Sequence, residues 1–188
     1  MEKGKHKLRK FRSQKPKPEF DQKILDIARV TRVMAGGRRF SFRIAAVIGD
    51  RKGKVGVGVA KGSDVSLAME KAVNNAKKNM ISVNIVDGGI PHEVLVKNKG
   101  SRILLKPAKV GRGVIAGGAV RVVCEFAGIS NVTAKMLSKS KNKINNARAT
   151  INALKQLRTK PEILKKDDKK GKEIENTNKV SVEDKEKK

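Results

Sequence analysis

The chain has 188 residues, which is enough for one ordinary domain or two small ones. Its 45 Lys and Arg against 18 Asp and Glu give a net charge of +27, which indicates a polyanionic partner such as nucleic acid. The lone cysteine excludes an internal disulfide and a multi-cysteine zinc site, and the two histidines are too far apart for a local metal-binding pair. Apolar runs too short for a bilayer, and an N-terminus without an apolar stretch behind its charges, predict a cytoplasmic protein with no membrane contact.

The positive charge is unevenly distributed along the chain. Residues 1–18 carry eight basic side chains and one acid, and we expect residues 1–23 to form a disordered basic arm. Residues 159–188 carry ten basic and eight acidic side chains, so residues 161–188 are predicted to be a disordered, nearly neutral tail. Residues 19–158 keep 27 basic and nine acidic side chains, a net charge of +18. These charges would repel one another unless an anion neutralised them, which favours nucleic acid over a merely soluble surface.

The first half of the folded part is predicted to be an antiparallel meander of three strands followed by a helix. Alternating apolar residues, with glycine turns at Gly36-Gly37 and Gly49 to Gly53, support this order. Ser63 or Asp64 is expected to cap the helix, whose apolar stripe continues to Met80. The domain is assigned to residues 24–86, with strands at Ile27 to Val33, Arg39 to Ile48 and Lys54 to Ala60.

The stretch Phe40-Ser41-Phe42 is a weak match to the aromatic strand of an RNA recognition motif, in which exposed rings stack on bases. That motif needs a glycine before its first aromatic residue and a helix after its first strand, and this chain has neither. Phe40 and Phe42 lie in line with Ile44, so both are predicted to be core residues. Three strands followed by one helix fit the corresponding part of a double-stranded RNA-binding domain.

The second half, residues 87–160, is predicted to be a different α+β unit, since the chain contains no internal repeat. Its elements are, in order, a hairpin at Glu93 to Lys97 and Arg102 to Lys106, a glycine-rich loop at Gly111 to Gly118, a helix that stops at Gly128, a strand near Val132 to Met136, and a helix from after Asn142 to about Arg158.

The sequence GRGVIA, Gly111 to Ala116, matches the G-x-G-x-x-G/A pattern of dinucleotide-binding loops. Its context is wrong, because Pro107 and Lys109 separate it from the preceding strand and no acid lies near position 131 to bind a ribose. Glycines that let another backbone approach closely are the favoured explanation. Cys124 falls within an apolar helix stripe, where a buried inert thiol is expected. We therefore predict no catalysis, no cofactor and no small-molecule substrate, and an enzyme using a dinucleotide at GRGVIA is a distant alternative.

Three separated motifs resemble ribosomal protein five of the bacterial small subunit. They are GGRRFSFRIAAVIGDRKGKVGVGVAKG from Gly36, KNKGSRILLKPAKVGRGVIAGGAVR from Lys97 and NKINNARATINAL from Asn142. The resemblance covers roughly residues 24–160, in order and without large gaps. It implies an α+β protein with an N-terminal double-stranded-RNA-binding-like domain and a C-terminal α+β domain with a left-handed βαβ crossover.

The same resemblance implies a place in the small ribosomal subunit. It implies binding to the small-subunit ribosomal RNA, contact with ribosomal proteins four and eight, a position beside the messenger RNA entry channel, and a part in decoding accuracy. The hairpin loop Met34 to Arg39 is implied to reach the RNA near the spectinomycin site. Many members have Lys immediately before the two glycines, and this chain has Ala35 there instead.

Two sets of candidate residues follow. Basic side chains on the meander, its turns and the first helix, together with the hairpin glycines, are predicted to bind ribosomal RNA: Arg29, Arg32, Gly36, Gly37, Arg38, Arg39, Arg51, Lys52, Lys54, Lys71 and Lys78. The glycine-rich loop and its flanking arginines are predicted to bind a protein neighbour, which the resemblance implies to be ribosomal protein four: Gly111, Arg112, Gly113, Gly117, Gly118 and Arg121. The main alternative is a free-standing RNA-binding protein or RNA chaperone, which shares the charge but needs no protein interface.

Overall fold

A computed structural model describes residues 19–158 of the chain. The predicted basic arm up to residue 18 and the predicted charged tail lie outside the described residues. The elements in chain order are β1 (Asp21–Met34), β2 (Gly37–Gly49), β3 (Lys54–Gly62), α1 (Val65–Lys78), β4 (Ile81–Ser82), β5 (Val94–Asn98), β6 (Ser101–Pro107), β7 (Val114–Ile115), α2 (Gly118–Ala127), β8 (Val132–Met136) and α3 (Lys143–Lys155).

The first sheet is the predicted antiparallel meander, with the strand order β1-β2-β3-β4. Its first strand is longer than the sequence predicts, because Asp21 already pairs with Gly49 and pairing continues to Met34 opposite Gly37. Residues 21–23, assigned to the disordered basic arm, therefore lie in β1, because they pair with β2. The short β4 was not predicted, and it pairs with the start of β3. β1 and β2 therefore form a hairpin whose outer half projects beyond the core, since all of its residues from Thr31 to Phe40 are exposed.

Helix α1 packs on one face of the first sheet through small residues. Its buried side chains are alanines, among them Ala72 and Ala76, and β3 offers them the glycine face that alternates with its valines. A Cβ atom at Gly58 would overlap the backbone carbonyl oxygen of Ala72 and the backbone nitrogen of Ala76. The glycines of β3 are thus needed for close packing of helix against strand.

The second sheet has the order β5-β6-β8-β7. Its pairs are antiparallel except for β7 and β8, which are parallel and joined by a crossover through α2. Helix α2 stops where predicted, at Gly128 with φ +88° in the left-handed region. The side chain of Asn142 caps α3 by accepting hydrogen bonds from the backbone N–H groups of Ile144 and Asn145.

The two halves share one hydrophobic core. The valine face of β3 and Val47 of β2 belong to the same buried cluster as α2, α3 and the second sheet. Backbone hydrogen bonds connect the halves as well, since the N–H of Arg51 donates to Phe126 O at 3.1 Å and the N–H of Gly53 donates to Ala127 O at 2.9 Å. The first sheet is therefore covered by α1 on one face and by the C-terminal half on the other.

The prediction that both aromatic residues of β2 are buried is wrong for one of them. Phe42 packs against the cluster under α1, whereas Phe40 is 44% exposed and lies beyond the end of the core. The guanidinium carbon of Arg29 lies 3.7 Å from the centre of the Phe40 ring. A cation–π contact thus replaces burial for this side chain.

Candidate functional site

The outer half of the β1–β2 hairpin brings four predicted RNA-binding arginines together. The strand register places Arg32 directly opposite Arg39, and Val33 opposite Arg38. Side chains alternate between the two faces of a strand, so Arg32 and Arg39 share one face while Arg29 and Arg38 share the other. Both faces of this segment, which we call the arginine hairpin (residues 29–42), therefore present positive charge.

The charges of the arginine hairpin are not matched within the protein. The ion pairs formed within residues 19–158 do not include Arg29, Arg32, Arg38 or Arg39. Like charges directly opposite one another on a sheet are destabilising, so the facing pair Arg32 and Arg39 raises the free energy of the unbound protein. An anion between the two guanidinium groups would remove that cost.

The turn at Ala35 and Gly36, with Gly37 as the first residue of β2, determines this arrangement. Gly37 has φ +142°, a backbone conformation that residues with a side chain rarely adopt. A Cβ atom added at Gly36 or Gly37 would meet nothing within 4 Å. The turn is thus open on its outer side, which leaves room for a nucleic acid backbone.

A second basic turn connects β2 to β3. The carboxylate of Asp50 orders it, since Asp50 Oδ1 accepts hydrogen bonds from the backbone N–H groups of Lys52 at 2.7 Å and Lys54 at 2.9 Å. Burial acts to raise the pKa of Asp50, but these hydrogen bonds and the charge of Lys54 outweigh it and hold the pKa below its ordinary value. The side chains of Lys52 and Lys54 are exposed on the ordered turn.

Arg51, on the same turn, has structural contacts of its own. Its Nε lies 2.9 Å from Asp21 Oδ2, and its guanidinium carbon is 5.9 Å from the centre of the Phe126 ring. Its backbone takes φ +56° and packs against the end of α2. Arg51 therefore helps to join the two halves of the molecule.

Lys71 and Lys78 lie on α1 and are exposed. They are seven residues apart, so they share one face of the helix and are separated by about 10 Å along its axis. Arg29 and Arg38 lie on the same face of the sheet as Phe42, which packs under α1. The lysines of α1 and one arginine pair of the hairpin are thus on the same side of the first sheet.

The glycine-rich loop of the C-terminal half is fixed from within. The backbone N–H groups of Gly111 and Gly113 both donate to Oδ1 of the buried Asn131, at 3.0 and 3.2 Å. Both glycines have positive φ, of +88° and +76°, and a Cβ atom on either would meet nothing within 4 Å of the described residues. Two backbone amides of the GRGVIA segment are therefore already bonded within the protein and are not free to bind a dinucleotide phosphate.

The surface around this loop contains apolar side chains that the sequence analysis did not single out. Val110 is 82% exposed and Ile115 is 44% exposed. Arg121 lies beside them, and its guanidinium donates to Val114 O at 2.9 Å. Arg112 is also exposed. Of the last two glycines of the loop, Gly118 has open space where a Cβ atom would lie, whereas a Cβ atom at Gly117 would overlap the end of the Met136 side chain. Exposed apolar residues next to a charged rim are typical of a protein interface. The exposure could not be read from the sequence, because the same residues would suit a buried strand.

Within residues 19–158 the single cysteine, Cys124, is buried in α2. Burial, and to a lesser extent the neighbouring Glu125, raises the pKa of Cys124 to about 12, which keeps its thiol protonated and unreactive at neutral pH. Residues 19–158 contain no group of three or more His, Cys, Asp or Glu side chains placed to hold a metal. None of the helices within that range could span a membrane.

Comparison with known proteins identifies the family. The model for the N-terminal domain of ribosomal protein S5 matches residues 20–84, and the model for its C-terminal domain matches residues 96–167. The chain belongs to the ribosomal protein S5 family. The two domains of the S5 family correspond to the two α+β halves.

Curated relatives agree with the S5 assignment. Small ribosomal subunit protein uS5 of Thermotoga neapolitana is 50% identical over 139 residues, which are 74% of this chain and 78% of that protein. Protein uS5 of Thermus thermophilus is 47% identical over 148 residues, 79% of this chain and 91% of the relative. Protein uS5c of Emiliania huxleyi is 45% identical over 152 residues, 80% of this chain and 95% of the relative.

Proposed function

We propose that the protein is a structural component of the small ribosomal subunit, binds the small-subunit ribosomal RNA through the arginine hairpin, and carries out no catalytic turnover. The observation that supports this most directly is Arg32 facing Arg39 with no carboxylate partner among the described residues. Phosphates between these side chains would neutralise a repulsion that is otherwise left in the fold.

The proposed RNA surface extends from the hairpin to the Asp50 turn and α1. Lys52 and Lys54 are positioned by the backbone hydrogen bonds to Asp50, and Lys71 and Lys78 add two charges on one helix face. Phosphate contacts of this kind fix orientation and carry little sequence information. The mechanism is thus electrostatic and geometric, with Arg51 holding the turn in place through Asp21.

The glycine-rich loop is proposed to contact a neighbouring protein of the subunit. Its exposed Val110 and Ile115 offer apolar area. Arg112 at the rim offers a charge for a carboxylate, and Arg121 offers another, which in the free protein pairs with Glu125 of its own helix at 3.8 Å. The family resemblance suggests ribosomal protein four at this loop, protein eight as a further neighbour, and a position beside the messenger RNA entry channel. An interface at this position would connect the protein to decoding accuracy.

Two measurements separate this function from that of a free-standing RNA chaperone. The tagged full chain should co-sediment with small subunits through a sucrose gradient in high salt, where a chaperone held by charge alone would dissociate. Replacing Arg38 and Arg39 with Ala should lower the log-log salt slope of RNA binding by roughly one to two. A chain found only at the top of the gradient, with an unchanged slope for the variant, would contradict the proposal.

A further inference from the structure

A cleft lined by asparagines lies between α1, α3 and the free edge of β3. Its volume is about 360 Å³, and it contains four asparagine side chains, Asn75, Asn79, Asn98 and Asn152. Beyond Val55, β3 has no strand partner on this side, so the two helices flank an open sheet edge. Val59 pairs with Ala45, eight residues from Gly37, which places the cleft about 25 Å from the tip of the arginine hairpin.

The cleft combines an apolar floor with amide walls and a cationic rim. Val57 and Ile151 are buried and form part of its lining, and Arg148 and Lys155 of α3 are exposed at its edge. No acidic residue contributes to the lining. The cleft is therefore suited to a ligand with a flat apolar body, hydrogen-bonding groups around its edge and a negative charge attached.

The asparagines are partly preset by hydrogen bonds. Asn75 Nδ2 donates to Val59 O at 3.2 Å, and Asn79 Nδ2 donates to Asn75 O at 2.9 Å, which leaves their side-chain oxygens as acceptors. Within residues 19–158 the side chains of Asn98 and Asn152 make no hydrogen bond, so each can both donate and accept. Such paired donors and acceptors match the edge of a nucleobase.

We propose that this cleft binds one unpaired nucleotide of RNA, with the base on Val57 and Ile151, its edge on Asn152 and its neighbours, and its phosphate on Arg148 or Lys155. The proposal rests on the proposed RNA-binding function and adds a site that recognises a base. An acidic peptide could pair with the cations, but its charged side chain has no flat apolar face to cover Val57 and Ile151. A base inside a duplex cannot enter a cleft of this kind without leaving the stack.

An adjoining cleft supports a single strand of RNA as the source of the nucleotide. It shares Lys155 with the first cleft and is lined on its other side by His92, whose buried Nδ1 has no hydrogen-bond partner among the described residues. Glu93 also lines it, and its carboxylate pairs with Lys106 at 3.2 Å. A strand with one base in each cleft would place the linking phosphate at Lys155.

The test uses the full chain with three single-stranded RNA hexamers, A6, C6 and U6, and a blunt RNA duplex, all at 200 mM salt to suppress binding by charge alone. Asn152→Ala should weaken binding of the preferred hexamer about fivefold, the loss expected for one neutral hydrogen bond, and should leave duplex binding unchanged. Asn145→Ala is the matched control, because Asn145 lies on the same helix, is also half-buried and does not line the cleft. Both substitutions favour the helix, so neither threatens folding.

Two results would overturn the proposal: equal hexamer affinities for Asn152→Ala and Asn145→Ala, or the same loss for Asn152→Ala on hexamer and duplex. The proposal would also be overturned if adenosine, cytidine or uridine monophosphate bound as tightly as the corresponding hexamer, because the ligand would then be a free nucleotide. The experiment also tests this site independently of the proposed function. Replacing Arg38 and Arg39 with Ala should lower the salt slope and leave the fivefold effect of Asn152→Ala in place, so either result can fail without the other.

Discussion

Neutralising the facing arginines of the hairpin should stabilise the free protein while weakening its RNA complex. Arg32 and Arg39 lie directly opposite one another, and replacing both with Gln keeps most of each side chain and removes the repulsion. Like charges at opposed positions cost roughly 0.2–1 kcal/mol. In a chain of this size each kcal/mol shifts Tm by about 2–4 °C, so the double variant should melt up to about 4 °C higher in low salt.

The same substitution should change RNA binding in the opposite direction. Each phosphate contact adds about 0.9 to the log-log salt slope, so two lost contacts lower the slope by about 1.8. Between 50 and 200 mM salt the wild type should then lose about twelvefold more affinity than the variant. The assay is fluorescence anisotropy on a labelled fragment of small-subunit ribosomal RNA across that salt range, with Arg102→Gln, an exposed arginine of the second sheet, as control.

A higher melting temperature together with a lower salt slope of RNA binding distinguishes phosphate binding from a structural role for these arginines. A structural role for either arginine would lower both the melting temperature and the RNA affinity. A slope that changes by less than half a unit would mean that no phosphate lies between the two side chains. A melting temperature that rises in low salt but not in 1 M salt would show that the effect is electrostatic, because the Debye length is then about 3 Å.

Four further outcomes are expected. Gly58→Ala should destabilise the protein by roughly 1–3 kcal/mol in denaturant titrations, through overlap with the α1 backbone, and Gly36→Ala, where the added methyl meets nothing, should not. Asp50→Asn should lower Tm at pH 7, because the Asp50 pKa is depressed in the folded protein. The difference in Tm between wild type and variant should shrink as pH falls below 3.8, the ordinary pKa of Asp, and vanish below the folded pKa. Deleting residues 163–188 should leave Tm and incorporation into subunits unchanged. Arg121→Leu should assemble normally and raise misreading of a near-cognate codon in a reporter, and unchanged accuracy would contradict an interface at the glycine-rich loop.

Features that depend on neighbouring residues in the chain could be predicted from the sequence. The cap at Asn142 and the stop at Gly128 are local, because a side chain or a left-handed glycine satisfies backbone groups within one turn. The meander followed by a helix was predicted for the same reason, from alternation and turn residues. The two-residue strand β7 was missed, since two residues show no periodicity.

The purpose of individual glycines could not be predicted, because glycine serves two different needs. Gly58 is required for close approach of a helix, whereas Gly111 and Gly113 are required for positive φ and have open space where a side chain would lie. For Gly111 and Gly113 the sequence alone favours close approach by another chain as the explanation. The decisive contact is with Asn131, about twenty residues away in sequence, and no local pattern indicates it.

The register of the hairpin decides whether its arginines form a binding surface. Met34 pairs with Gly37 across a two-residue turn, and this pairing brings Arg32 opposite Arg39. A slip of one residue would move every side chain of one strand to the other face and would place Arg32 opposite Phe40 or Arg38. Gly36 and Gly37 therefore contribute to the proposed interface through the register they permit, even without touching RNA. Charge composition alone could indicate the partner, but the turn determines where that partner's phosphates can lie.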